Sequence, residues 1–137
     1  MLERHATSED IPLLVEALRT PETIREDDSR LDSTLIALTR FEGIGPIPEL
    51  KEAFGRIGGC YERSEAADAM DATAPVHFAA EYAFECLWDC HWGARALGCE
   101  TVNLSAPGAL ERIRELAADP HESEDVRQAA RERLEDL

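Results

Sequence analysis

Lysine is almost missing from this chain: Lys51 is the only one, and the rest of its 14 basic residues are arginines. No apolar run approaches the roughly eighteen residues a membrane-spanning helix needs, so no transmembrane segment is expected. The opening Met1-Leu2-Glu3-Arg4-His5 is charged and lacks an apolar stretch, so no secretory signal is expected either. Basic charge is scarce overall, with 29 acidic residues setting the formal net charge at -15. Nucleic acids and anionic membranes both need basic surface to replace counterions, so neither is an expected partner. Strand signals are equally thin; only Glu100 to Leu104 reads as extended, and it is short. There is no Gly-rich phosphate loop, no G-x-S-x-G elbow and no H-E-x-x-H motif. The chain therefore reads as a non-enzyme without a cofactor.

A length of 137 residues suits one domain, large enough to bury a core without metal or disulfide help. Four cysteines (Cys60, Cys86, Cys90, Cys99) without a leader point to thiols in a reducing compartment, the cytoplasm by default. The acidic surplus has two readings. An acidic shell keeps a protein soluble whatever it does, and it also complements a basic partner. The preference for arginine over lysine suggests a GC-rich or salt-adapted source, which would supply part of the acidity by itself.

Helical repeats organise the chain. Ile11-Pro12-Leu13-Leu14-Val15-Glu16-Ala17-Leu18 and Ile47-Pro48-Glu49-Leu50-Lys51-Glu52-Ala53-Phe54 share the pattern I-P-x-L-x-E-A-[L/F], 36 positions apart. Leu110 to Ala117 keeps the apolar spacing and the glutamate. Each copy sets apolar residues at i, i+3 and i+7, the stripe of an amphipathic helix. Pro12, Pro48 and Pro107 suit first-turn positions, where a missing N–H has no intrahelical partner. A break and a second helix follow each copy. These second helices run from about Asp28 to Arg40, from about Pro75 to Leu97 (after a short piece near Ser64 to Met70), and from Ser123 onward with Val126, Ala130, Leu134 and Leu137 as its stripe. Gly98 sits where a helix would stop. The expectation is an all-α single domain over 1–137, in units of about 8–42, 46–98 and 105–137, with the middle one extended by an insertion.

The segment Ala109 to Leu134, with Asp125-Val126-Arg127-Gln128-Ala129-Ala130 opening its second helix, resembles a HEAT repeat, a family that often starts that helix with D-V-R-x-x-A. Asp28-Ser29-Arg30 is a weaker echo, and the middle unit departs from the pattern with Pro75-Val76-His77-Phe78. The resemblance implies a short α-solenoid of about three hairpins, each packed on its neighbours, and no shared catalytic site.

Read as one helix, Pro75 to Leu97 places Val76, Ala80, Ala83, Leu87, Cys90, Ala94 and Leu97 on a continuous core seam. The opposite arc then carries Phe78, Glu81, Tyr82, Glu85, Trp88, Asp89 and Trp92. Aromatics anchor and carboxylates pair with arginine or lysine, so this arc is the candidate binding face for a basic protein or peptide. The alternative is that the 60–70 segment, or the chain around Val102 to Leu104, covers the rings. Between Tyr61 and Cys90 seven acids stand against one base, Arg63, which makes this stretch the most acidic region.

Cys86, Cys90 and Cys99, with Cys60, His77 or His91, are candidate metal ligands, but their spacing matches no common zinc motif. Buried cysteine is ordinarily a small apolar residue. No metal is therefore expected, and a metal- or thiol-based sensor stays as an alternative. A small enzyme with a carboxylate pocket around Glu81, Glu85 and Asp89 is the second alternative. The favoured expectation is a cytoplasmic binding or scaffold module, in one specific form an inhibitor or immunity protein against a basic toxin or nuclease.

Overall fold

The computed structural model describes residues 5–20 and 29–137. The break expected at Pro21, the Asp28 helix start and the residues before His5 lie outside the described residues. Those described form nine α-helices and no strand. They are α1 (Ile11–Arg19), α2 (Ser29–Leu38), α3 (Pro48–Arg56), α4 (Cys60–Thr73), α5 (Pro75–Glu81), α6 (Ala83–Cys86), α7 (Trp92–Thr101), α8 (Ala109–Ala118) and α9 (Glu124–Glu135). No helix among them is long and apolar enough to cross a membrane. The chain divides into two compact units, Met1–Pro75 and Val76–Leu137, so the division falls inside the stretch read as the middle repeat.

In the first unit the two I-P copies become α1 and α3, each with its proline in the first turn. Equivalent positions are buried in both: Leu14 and Leu18 on α1, Leu50 and Phe54 on α3. Matching apolar stripes meet, so α1 packs on α3 as well as on α2, and α4 packs on both α2 and α3. The short piece expected near Ser64 to Met70 is a full helix, α4, whose buried Ala66, Ala67 and Ala69 let neighbours approach closely. Its last carbonyls have no partner within the helix. The loop between α2 and α3 supplies partners: Gly43 and Gly45 donate their N–H groups to the carbonyls of Ala72 and Thr73, each at 2.9 Å. Both glycines have positive φ, +70° and +108°, which only glycine adopts without strain. Arg63 ties α4 to the end of α3, donating to the Phe54 carbonyl at 2.9 Å with its guanidinium 4.3 Å from the centre of that ring.

The second unit corrects the reading of Pro75 to Leu97 as one helix. Helical geometry stops at Tyr82 (φ -120°) and again between Leu87 and His91, leaving α5, α6 and α7. The second stop is built locally. The Asp89 carboxylate accepts the His91 N–H at 3.2 Å, and His91 Nδ1 accepts the Gly93 N–H at 3.0 Å as the N-cap of α7. With that turn made, α7 folds back on α6. Gly98 is therefore not a helix stop but an interior residue of α7: a Cβ there would lie 3.0 Å from the Ala83 carbonyl oxygen and 3.1 Å from the Leu87 nitrogen. The continuous seam fails with the continuous helix, since Val76 is 85% exposed while Ala83, Leu87 and Ala94 are buried. Glu100 to Leu104 is the end of α7 and its following turn, not a strand.

The rest of this unit is α8 and α9, packed on one another, with α9 also against α7. Gly108 (φ +87°) caps α8, which leaves Pro107 just outside the helix. The Ser123 side chain caps α9 by accepting from the Val126 N–H. Arginines supply the long-range polar ties. Arg133 donates to the carbonyls of Glu100 and Val102 at the end of α7 (2.5 and 2.6 Å), and Arg112 donates to the Leu87 carbonyl at 3.3 Å. Arg95 forks onto Glu122 with two bonds of 2.8 and 2.7 Å and gives a third, of 2.7 Å, to the Asp89 carbonyl.

Candidate binding surface

Because α5, α6 and α7 are separate, the seven residues expected on one arc part company. Phe78 is fully buried, and Tyr82 is buried with its ring stacked 6.4 Å from that of Phe78. Two large rings placed where a helix turns into the next are worth more inside than on a surface, at about 25 cal/mol for each Å² of apolar area removed from water. They belong to the core of the unit, a correction to the reading of all four aromatics as surface anchors.

The other five reach solvent to different degrees. Glu81 and Glu85 are exposed, and Glu81 Oε2 lies 3.5 Å from His77 Nε2 one turn away. Trp88 is 52% exposed and Trp92 47%. Asp89 is half-buried, and its carboxylate holds the turn before α7. Trp88 has its ring 4.9 Å from Phe84 and the Arg112 guanidinium 5.3 Å from its centre, while Trp92 stacks on His91 at 5.3 Å. The two tryptophans are thus braced by neighbours of their own unit, each with about half its surface open.

Arg112 and Arg95 were not legible as part of this surface. Arg112 lies 25 residues from Leu87, and Glu122 lies 27 from Arg95, so no local spacing signals either contact. The signal the sequence does carry is Asp89-Cys90-His91-Trp92-Gly93: an Asx turn followed by a capping side chain is a start signal inside an apparently continuous helix.

The thiols are a different matter. Cys86 and Cys99 are the cysteines in the reduced state, and both are buried. The expectation of four thiols is corrected to these two, and Cys90 is not among them. Burial, reinforced by Glu100, pushes the Cys99 thiol up to about 11, so it stays protonated, unlike a reactive or metal-ligating thiolate. His91 commits Nδ1 to the α7 cap. No group of three or more His, Cys, Asp or Glu side chains suited to a metal occurs among the described residues.

No protein-family model, curated protein or solved structure matches the chain. The chemistry on offer is two half-open indole rings and the exposed Glu81 and Glu85, close in sequence, in a protein with a surplus of negative charge.

Proposed function

We propose that this chain is a non-catalytic binding or scaffold module whose second unit presents Glu81, Glu85, Trp88 and Trp92 to a basic protein or peptide. The observation that carries the reading is the half exposure of both tryptophans in a short stretch of chain that also exposes Glu81 and Glu85. Exposed indole area costs solvation and is the side chain most enriched where partners bind tightly. The carboxylates select a cationic partner and speed its approach. The Arg112 guanidinium against Trp88 shows the kind of contact such a partner would make with the open indole surface.

The module is a stack of HEAT-like hairpins. Two pairings support this: in the first unit first helices meet first helices and second meet second, and in the second unit the second helix of the last hairpin lies on the helix before it. Its setting is the cytoplasm. In a specific form, the acidic face neutralises a basic toxin or nuclease.

The test uses the full chain as bait on a lysate of its source, beside a variant with Glu81→Lys, Glu85→Lys and Trp88→Ala. All three side chains are exposed, so circular dichroism should not change. Loss of the main basic partner from the variant, by thirtyfold or more in affinity (about 2 kcal/mol), supports the reading. Undiminished capture removes it.

A further inference from the structure

Independently of that surface, two acids on different helices of the first unit face one another. Asp32 lies in the first turn of α2 and Glu65 near the start of α4, and those helices pack together. Asp32 Oδ1 and Glu65 Oε2 are both buried without a hydrogen-bond partner, although the two carboxyls stand within hydrogen-bond reach of each other. Two acceptors in contact have nothing to exchange unless a proton sits between them.

Among the described residues the surrounding charges do not resolve the conflict. On α4, Tyr61 bonds Glu65 from one turn before, Asp68 adds negative charge after it, and Glu62 and Asp71 are further acids. Arg63, the cation of that helix, is committed to Phe54. From α3, Glu49 is bound to Arg19, while Lys51, Glu52 and Arg56 are exposed. From α2 the other ionisable side chain is Arg30, also exposed. A divalent cation would satisfy the same oxygens, but no third acid, histidine or cysteine completes a ligand set with them among the described residues.

We propose that Asp32 and Glu65 share one proton across the α2–α4 contact, making it a pH-sensitive latch, tightest in acid and progressively weaker as the pH rises. Burial first, and then the Asp32 carboxyl, push Glu65 up to about 8 from an ordinary 4.5. The sign follows from proton counting. Between those two values the folded chain holds a proton that the unfolded chain has lost, so its stability falls with rising pH. The contribution is complete below the ordinary value and gone once the pH passes the folded one. Its limiting slope is about tenfold in the folding equilibrium per pH unit.

Urea denaturation of the full chain and of Glu65→Gln, from about pH 5 to about pH 8, reads this difference. Glutamine is uncharged and its amide can donate to Asp32. Both side chains are half-buried, so solvent screens part of the effect, and the wild-type folding constant is expected to drop more than that of the variant by on the order of tenfold across the range. Carbon-13 NMR of the Glu65 side-chain carboxyl in the unmodified protein should show it titrating well above the ordinary carboxylate range. Parallel stability profiles, or a Glu65 carboxyl titrating with the solvent-exposed glutamates, would overturn the latch. So would stabilisation by calcium or magnesium that Glu65→Gln abolishes, since a cation and not a proton would then lie between the carboxyls.

Discussion

In the first unit the helices meet through repeated apolar positions, and the ion pair that links α1 to α3 joins a partly covered Glu49 to Arg19, whose side chain is 57% exposed. In the second, Arg95 and Glu122 are mostly buried, with the Glu122 side chain only 7% exposed, and the same arginine closes the turn before α7. Pattern-matched helices need few polar ties; a chain that turns sharply twice between Val76 and Trp92 needs them where the turns leave carbonyls open. The two units therefore differ in which pH limb weakens them. The Arg95 hydrogen bonds hold Glu122 below the usual carboxylate range, so its contribution is present above the ordinary glutamate value and lost as the pH falls through the depressed one. Glu65 in the first unit has the opposite sign.

The strongest way to break this comparison is Arg95→Met. It leaves Glu122 as an uncompensated buried carboxylate and opens the Asp89 carbonyl, so a loss of about 3 kcal/mol in urea denaturation is expected. The acid sensitivity due to Glu122 should go with it. Arg19→Met removes an ion pair of the same composition whose arginine is mostly in water, and should shift the unfolding midpoint much less. Equal effects of the two substitutions would erase the distinction between the units.

Glycine gives a second contrast, smaller and of opposite sign in the two units. Gly98→Ala puts a methyl group against backbone atoms of Ala83 and Leu87, which cannot swing aside, so a loss of about 1–3 kcal/mol is expected. Gly55, near the end of α3, has nothing within 4 Å of the position its Cβ would take. Gly55→Ala should stabilise by about 0.5–1 kcal/mol through helix propensity and a less flexible unfolded chain. Thermal melts of the two variants check both signs at once.

The same contrast explains what could be read from the residues alone. In the first unit the breaks are written in glycine and proline, at Gly43, Gly45, Pro46, Gly58 and Gly59, and the helices fall close to where those residues put them. In the second unit the decisive breaks fall at Tyr82 and at Leu87 to His91, where no glycine or proline stands. Apolar periodicity runs straight through them, because burial depends on where α7 folds back and not on a seam along one axis. The candidate surface was correspondingly half legible. Its acids and tryptophans were identifiable by type, whereas the removal of Phe78 and Tyr82 into the core, and the bracing of Trp88 by Arg112, follow from tertiary contacts.

Asp89 tests the boundary between the two roles assigned to this region, and its expected effect is the smallest. Its half-buried carboxylate accepts the His91 N–H that closes the turn before α7. Asp89→Asn keeps a side-chain oxygen for that bond and removes the charge, so stability should shift by no more than a few tenths of a kcal/mol. Asp89→Ala loses the turn as well and should cost about 1 kcal/mol, the scale of a lost cap. Binding of a basic partner separates the readings further. If Asp89 only shapes the turn that carries Trp88 and Trp92, Asp89→Asn binds like the wild type while Asp89→Ala binds more weakly. If its charge meets the partner, Asp89→Asn weakens binding as well, and the recognition surface extends from Glu85 through the turn to Trp92.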